Sequence, residues 1–74
     1  MKVPISQLVV GQKYIIGPNH GINQENIIAV FKGDILGGVA VSFKVKPNPG
    51  IALYKGGIIF SKDSKLLFEK VASN

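Results

Sequence analysis

The residues able to do chemistry in this chain are few, and most of them are lysines. His20 is the sole histidine, placed within Gly17-Pro18-Asn19-His20-Gly21, a run of turn-forming residues. Imidazole is the side chain that carries protons near neutral pH, so His20 is the first candidate for acid–base work. Catalysis also needs a partner. His20 with Asp34 or Asp63 and with Ser61 or Ser64 makes a triad on paper only, since no G-x-S-x-G elbow presents either serine. Its expected role is that of an exposed loop histidine. The carboxylates Glu25, Asp34, Asp63 and Glu69 are scattered over turns and strand ends. They have neither the paired placement of acid–base chemistry nor the spacing of a calcium loop. Gly33-Asp34-Ile35-Leu36-Gly37-Gly38 matches neither phosphate-binding glycine pattern. Cysteine is absent, and one histidine cannot build a zinc site alone. The chain is expected to be non-catalytic, with no cofactor and no metal.

The lysines make a better constellation. Nine basic residues, all lysine, face four acidic ones, for a net charge of +5. Basicity favours nucleic acid or an acidic protein surface as a partner. The absence of arginine narrows the chemistry, because lysine is a point charge without the planar fork that reads guanine edges. Nucleic-acid contact would then be through the phosphate backbone and sensitive to salt. Lys44 and Lys46 fall on the same face of one alternating segment, Lys32 ends the segment before it, and Lys55 follows the next turn. Lys32, Lys44, Lys46 and Lys55 are therefore the candidate binding residues. Tyr54 and Tyr14 are the aromatic candidates for base stacking, whereas Phe31 and Phe43 alternate toward the core. The plain alternative is that these lysines keep the surface wet and protect a sheet edge.

The elements that hold them are short apolar runs cut by Gly, Pro and Asn. In Val39 to Lys46, Val39, Val41, Phe43 and Val45 alternate with Ala40, Ser42, Lys44 and Lys46. Side chains two apart share a face of a strand, so one face is apolar and the other wet and basic. Gln12–Ile16 is the first expected strand, with Tyr14 and Ile16 inward, and Glu25–Lys32 the second, with Ile27, Ala29 and Phe31 inward. Ile28 and Val30 make that second strand apolar on both faces, as in a strand covered on both sides. Pro4 to Gly11 is expected as a helical turn capped by Ser6 and ended by Gly11, with Leu8 and Val10 plugging one end of the core. Gly33-Asp34 should start a turn and Pro47-Asn48-Pro49-Gly50 should make another. Ile51–Lys55 and Ile58–Phe60 follow as strands around Gly56-Gly57. A polar turn over Ser61–Lys65 then precedes a last strand, Leu66–Val71.

Five short strands, an opening turn and a polar turn before the last strand resemble an SH3-like barrel. The likeness is architectural. The acidic loop and paired aromatics of signalling SH3 domains are missing: Trp is absent, and Tyr14 is followed by Gly-Pro-Asn-His-Gly-Ile-Asn-Gln after two isoleucines. Sm-like and OB-type barrels are the nearest competitors. The fold class expected is all-β, a small five-stranded SH3-like barrel with one or two short helical turns, in a single domain over residues 1–74.

A chain of 74 residues buries only about 60% of its unfolded surface, so packing or association must supply its stability. Ile15, Ile28, Val30, Ile59 and Leu67 lie opposite the inferred core faces. They support the alternative of a homo-oligomeric structural or accessory protein, of the kind found in phages or mobile elements. No secretory leader is visible at Met1-Lys2-Val3-Pro4, and no apolar run approaches the roughly 18 residues that cross a membrane. The expected location is cytoplasmic, or within a particle assembled there, with no membrane partner.

Overall fold

Alternating apolar residues need a surface to bury against, and this chain supplies it by curling one sheet around its own aromatics. The computed structural model describes residues 2–22, 25–45 and 57–71. Its strands are β1 (Lys2–Pro4), β2 (Lys13–Ile16), β3 (Ile27–Ile35), β4 (Ala40–Val45), β5 (Ile58–Ser61) and β6 (Leu67–Lys70). They form one antiparallel sheet in the order β1-β6-β2-β3-β4-β5. No ladder joins β5 to β1 among the described residues, so the sheet is open. A small all-β fold is as expected. Six strands stand among the described residues where five were expected for the chain, and no ladder among them closes the sheet into a barrel. The expected turn at Pro47-Asn48-Pro49-Gly50 and the expected strand Ile51–Lys55 lie outside the described residues.

Three 3-10 turns, at Ile5–Gln7, Pro18–His20 and Leu36–Gly38, are the helical elements among the described residues. The first has Pro4 at its N-cap position with no side-chain bond, so Ser6 is not its cap. Gly11 has a positive φ, +89°, but it does not end this turn, which stops at Gln7 with an extended Leu8 as its C-cap. Gly11 belongs to the separate turn closed by the Gln12 N–H on the Val9 carbonyl. Leu8 packs on the core but Val10 is exposed, so only one of that pair serves as a plug.

The core is aromatic. Phe43 is 1% exposed and touches four rings: Phe31 at 5.2 Å between centroids, Phe68 at 5.2 Å, Phe60 at 5.7 Å and Tyr14 at 6.2 Å. Phe60 and Phe68, 5.3 Å apart, bring β5 across the inner face onto β6. Tyr14 is buried, and its hydroxyl accepts the Val9 backbone N–H at 2.9 Å. It is not the exposed stacking residue considered from the sequence, because β2 turns it inward with Ile16. Burying this phenol without a partner for its oxygen would be costly, and the Val9 amide removes that cost.

Two local departures from simple alternation shape the rest. Gly33-Asp34 does not begin a turn. It lies inside β3 at a bulge, where the register passes from Phe31↔Phe43 to Gly33↔Ser42 and leaves Lys32 without a partner across the ladder. Gly33 has φ +102°, a conformation glycine adopts without a Cβ penalty. The hairpin tip is instead Leu36–Gly38. It leaves Val39 in a helical conformation and 65% exposed, outside β4 and not on its apolar face. Ala40, expected on the wet face, is buried between Ile35 and Ser61.

Candidate binding face

The outer face of the sheet collects the side chains that the curl turns away from the core. Lys13 opposes Val30 across β2–β3, and Val30 opposes Lys44 across β3–β4. Residues paired in this way point to the same side, so Lys13, Val30 and Lys44 form one cross-strand row. Its two lysines stand two strand spacings apart, about 10 Å. At that distance their repulsion is mostly screened at physiological salt, yet they present a shared positive field to a partner.

The neighbouring row is apolar in its middle. Ile15 opposes both Ile28 on β3 and Glu69 on β6, and Glu69 opposes Lys2 on β1. Ile28 is 51% exposed, while Ile15 and Val30 are partly covered. This side of β3 is thus only partly covered, whereas Ile27, Ala29 and Phe31 on its other side are buried. The two rows together make an apolar centre of Ile15, Ile28 and Val30 with Lys13 and Lys44 beside it.

The candidates from the sequence fare unequally. Lys44 stands in the row. Lys32 is exposed but belongs to the bulge, so it is shifted out of the regular alternation that would have aligned it with Lys44. Lys46, Tyr54 and Lys55 lie outside the described residues. Lys13 was missed. Its signal was available, since it has the opposite parity to the inward Tyr14, but only the β2–β3–β4 register shows that it joins Lys44. Lys62 is occupied at the far end, where its ammonium pairs with the Asp34 carboxylate at 2.7 Å.

His20 is not the exposed loop residue expected. The Gly17 backbone N–H donates to its Nδ1 at 3.1 Å, and its Nε2 lies 2.9 Å from the Leu67 carbonyl oxygen. With the Gly17 N–H donating to Nδ1, the tautomer that satisfies both contacts carries its hydrogen on Nε2, whose N–H donates to the Leu67 carbonyl oxygen. The ring also stacks on Phe68. With both nitrogens committed to backbone, His20 is structural, tying the β2–β3 connection to β6.

Among the described residues no group of three His, Asp or Glu side chains could hold a metal ion, and no helix is long and apolar enough to cross a membrane. The described phenylalanines all point into the core, which leaves the face without a stacking platform from those residues. No protein-family model, curated protein or solved structure matches the chain.

Proposed function

We propose that this protein is a non-catalytic binding module of the cytoplasm that recognises an acidic protein surface with the outer face of its sheet. The observation that carries this is the Lys13–Val30–Lys44 row set against the exposed Ile28 and its neighbour Ile15. Lysines interleaved with aliphatic side chains complement a surface that alternates carboxylates with apolar groups. Charge gives orientation and rate of encounter, and the isoleucines give buried area. Nucleic acid is the less favoured partner, because the described aromatics are all committed to the core and backbone contact alone would rest on lysine charge. The SH3-like likeness stays part of this proposal as an architectural one, supported by the Phe60–Phe68 contact that folds β5 over β6.

The test is the double variant Lys13→Glu/Lys44→Glu. Binding is followed by fluorescence anisotropy against a peptide alternating aspartate with leucine, against poly-glutamate and against mixed-sequence duplex DNA. The proposal expects the alternating peptide to bind best and the double variant to lose it. Equal affinity of wild type and variant for that peptide would overturn it, and a preference for DNA that vanishes with salt would move the function to phosphate backbone.

A homo-oligomer is the second proposal, favoured by Ile59 at 58% exposure and Leu67 at 50%. A two-fold contact through the lysine row would set like charges against each other, so self-association would have to use these other residues. Light scattering on the Ile59→Lys variant separates the two: loss of a discrete oligomer supports this second reading, and a monomeric wild type excludes it.

A further inference from the structure

Away from the lysine row, a groove of about 310 Å³ opens beside the start of β6. The Pro18–His20 turn is held over β6 by the bonds of His20 to Gly17 and Leu67. Gly17 lets Asn26 approach closely: a Cβ on Gly17 would fall 2.9 Å from the Asn26 Cα. Ile15 and Glu69 reach the groove from paired strands, and Lys65 enters from the turn that precedes β6.

The lining has a definite chemistry. Ile15, Leu66 and Leu67 supply an apolar surface, and Asn19 and Asn26 supply amide donors. Two ammonium groups, Lys2 and Lys65, against one carboxylate, Glu69, leave one net positive charge. Lys2 faces Glu69 across the β1–β6 ladder, so its charge is partly offset on the spot. Lys65 has no ion-pair partner among the described residues and is the free anchor. A groove with one uncompensated cation beside aliphatic walls suits one negative charge on an aliphatic body. Glu69 would repel a second negative charge. The volume lies at the lower end of what small-molecule sites offer, which points to a free small molecule.

We propose that this groove binds a short-chain aliphatic monocarboxylate, with the carboxylate on Lys65 and the Asn26 amide and the chain along Ile15 and Leu67. The site shares Ile15 with the outer face but does not use Lys13 or Lys44, so the Lys13→Glu/Lys44→Glu variant leaves its cation anchor in place. Failure of one proposal is thus visible separately from failure of the other.

The experiment is an NMR titration of the ¹⁵N-labelled protein with hexanoate, hexanol, succinate and acetyl-alanyl-leucine. Saturable shifts at the amides of Asn26, Lys65 and Leu67 with hexanoate are expected. Binding should be about tenfold weaker with hexanol, as loss of a charge-assisted hydrogen bond implies. Lys65→Gln should weaken hexanoate about tenfold, as the same loss predicts, with its remaining spectrum unchanged, and Lys44→Gln should have no effect. The proposal falls if hexanoate shifts do not saturate, if hexanol binds as well, or if Lys65→Gln is silent. Tighter binding of succinate would also defeat it, and saturation by the acetyl dipeptide alone would make the groove a peptide-terminus site instead.

Discussion

The His20 imidazole lies flat on the Phe68 ring, with centroids 4.7 Å apart and planes 15° from parallel, while both of its nitrogens are bonded to backbone groups on different segments. One side chain therefore joins the β2–β3 connection to β6 through dispersion on its face and hydrogen bonds at its edge. His20→Ala should cost about 2–3 kcal/mol, from two hydrogen bonds and the ring contacts with Phe68 and Phe60. His20→Phe restores the stack alone, and His20→Gln at most one bond. Urea denaturation should rank the variants with alanine least stable, and equal midpoints for alanine and wild type would remove His20 from the structural account.

Phe43 is the ring that the other core aromatics share. Phe43→Ala should lose about 3–5 kcal/mol. A chain of this length has a total stability of only about 4–11 kcal/mol, so the variant should lose its cooperative thermal transition or show it many degrees lower. Phe43→Leu keeps most of the volume and should remain folded.

At Gly17 the added methyl of Gly17→Ala has no room, since it meets both the backbone and the side-chain oxygen of Asn26. The expected loss is about 1–3 kcal/mol, by analogy with overpacking. Differential scanning calorimetry would report it as a drop of about 4–8 °C per kcal/mol for a domain this small.

Leu36 is the one non-glycine residue with positive φ among those described, +54°, and it is 69% exposed. Leucine gains little there by burial and pays for the left-handed backbone. Leu36→Asn, or Leu36→Gly, should stabilise the protein by about 0.5–1 kcal/mol. A lower denaturation midpoint for both variants would mean that the leucine side chain holds the hairpin tip by a contact of its own.

The Lys62–Asp34 pair should matter little despite its 2.7 Å separation, because both side chains are about half exposed. Asp34→Asn is expected to cost under about 1 kcal/mol, and less as salt rises.

What could be read from the sequence was the inward parity of strands long enough to show it. Tyr14 and Ile16 in β2, Ile27, Ala29 and Phe31 in β3, and Val41 and Phe43 in β4 all face the core as alternation requires. Strand β1 was invisible, since three residues ending in proline carry no period. Gly33-Asp34 misled because a glycine with positive φ serves a bulge as well as a turn, and only the partner strand distinguishes the two. His20 could not be placed, because its ring partner Phe68 and acceptor Leu67 are nearly fifty residues away. Of the candidate face, Lys44 was legible from its own segment. Lys13 needed the register of three strands, and the groove needed residues as far apart as Lys2, Ile15, Asn26 and Lys65 brought together.

The pairing of Lys2 with Glu69 sets a timetable for folding. Strands β2, β3 and β4 are neighbours in sequence and can zip locally as hairpins, whereas β1 has nothing to pair with until β6 arrives. Loop-closure entropy makes that contact a late one. As the chain leaves the ribosome, β1 must wait until β6 has been synthesised, and the aromatic cluster cannot be completed before Phe68 emerges. Substitutions at Val3 or Pro4 should then speed unfolding while leaving the refolding rate almost untouched.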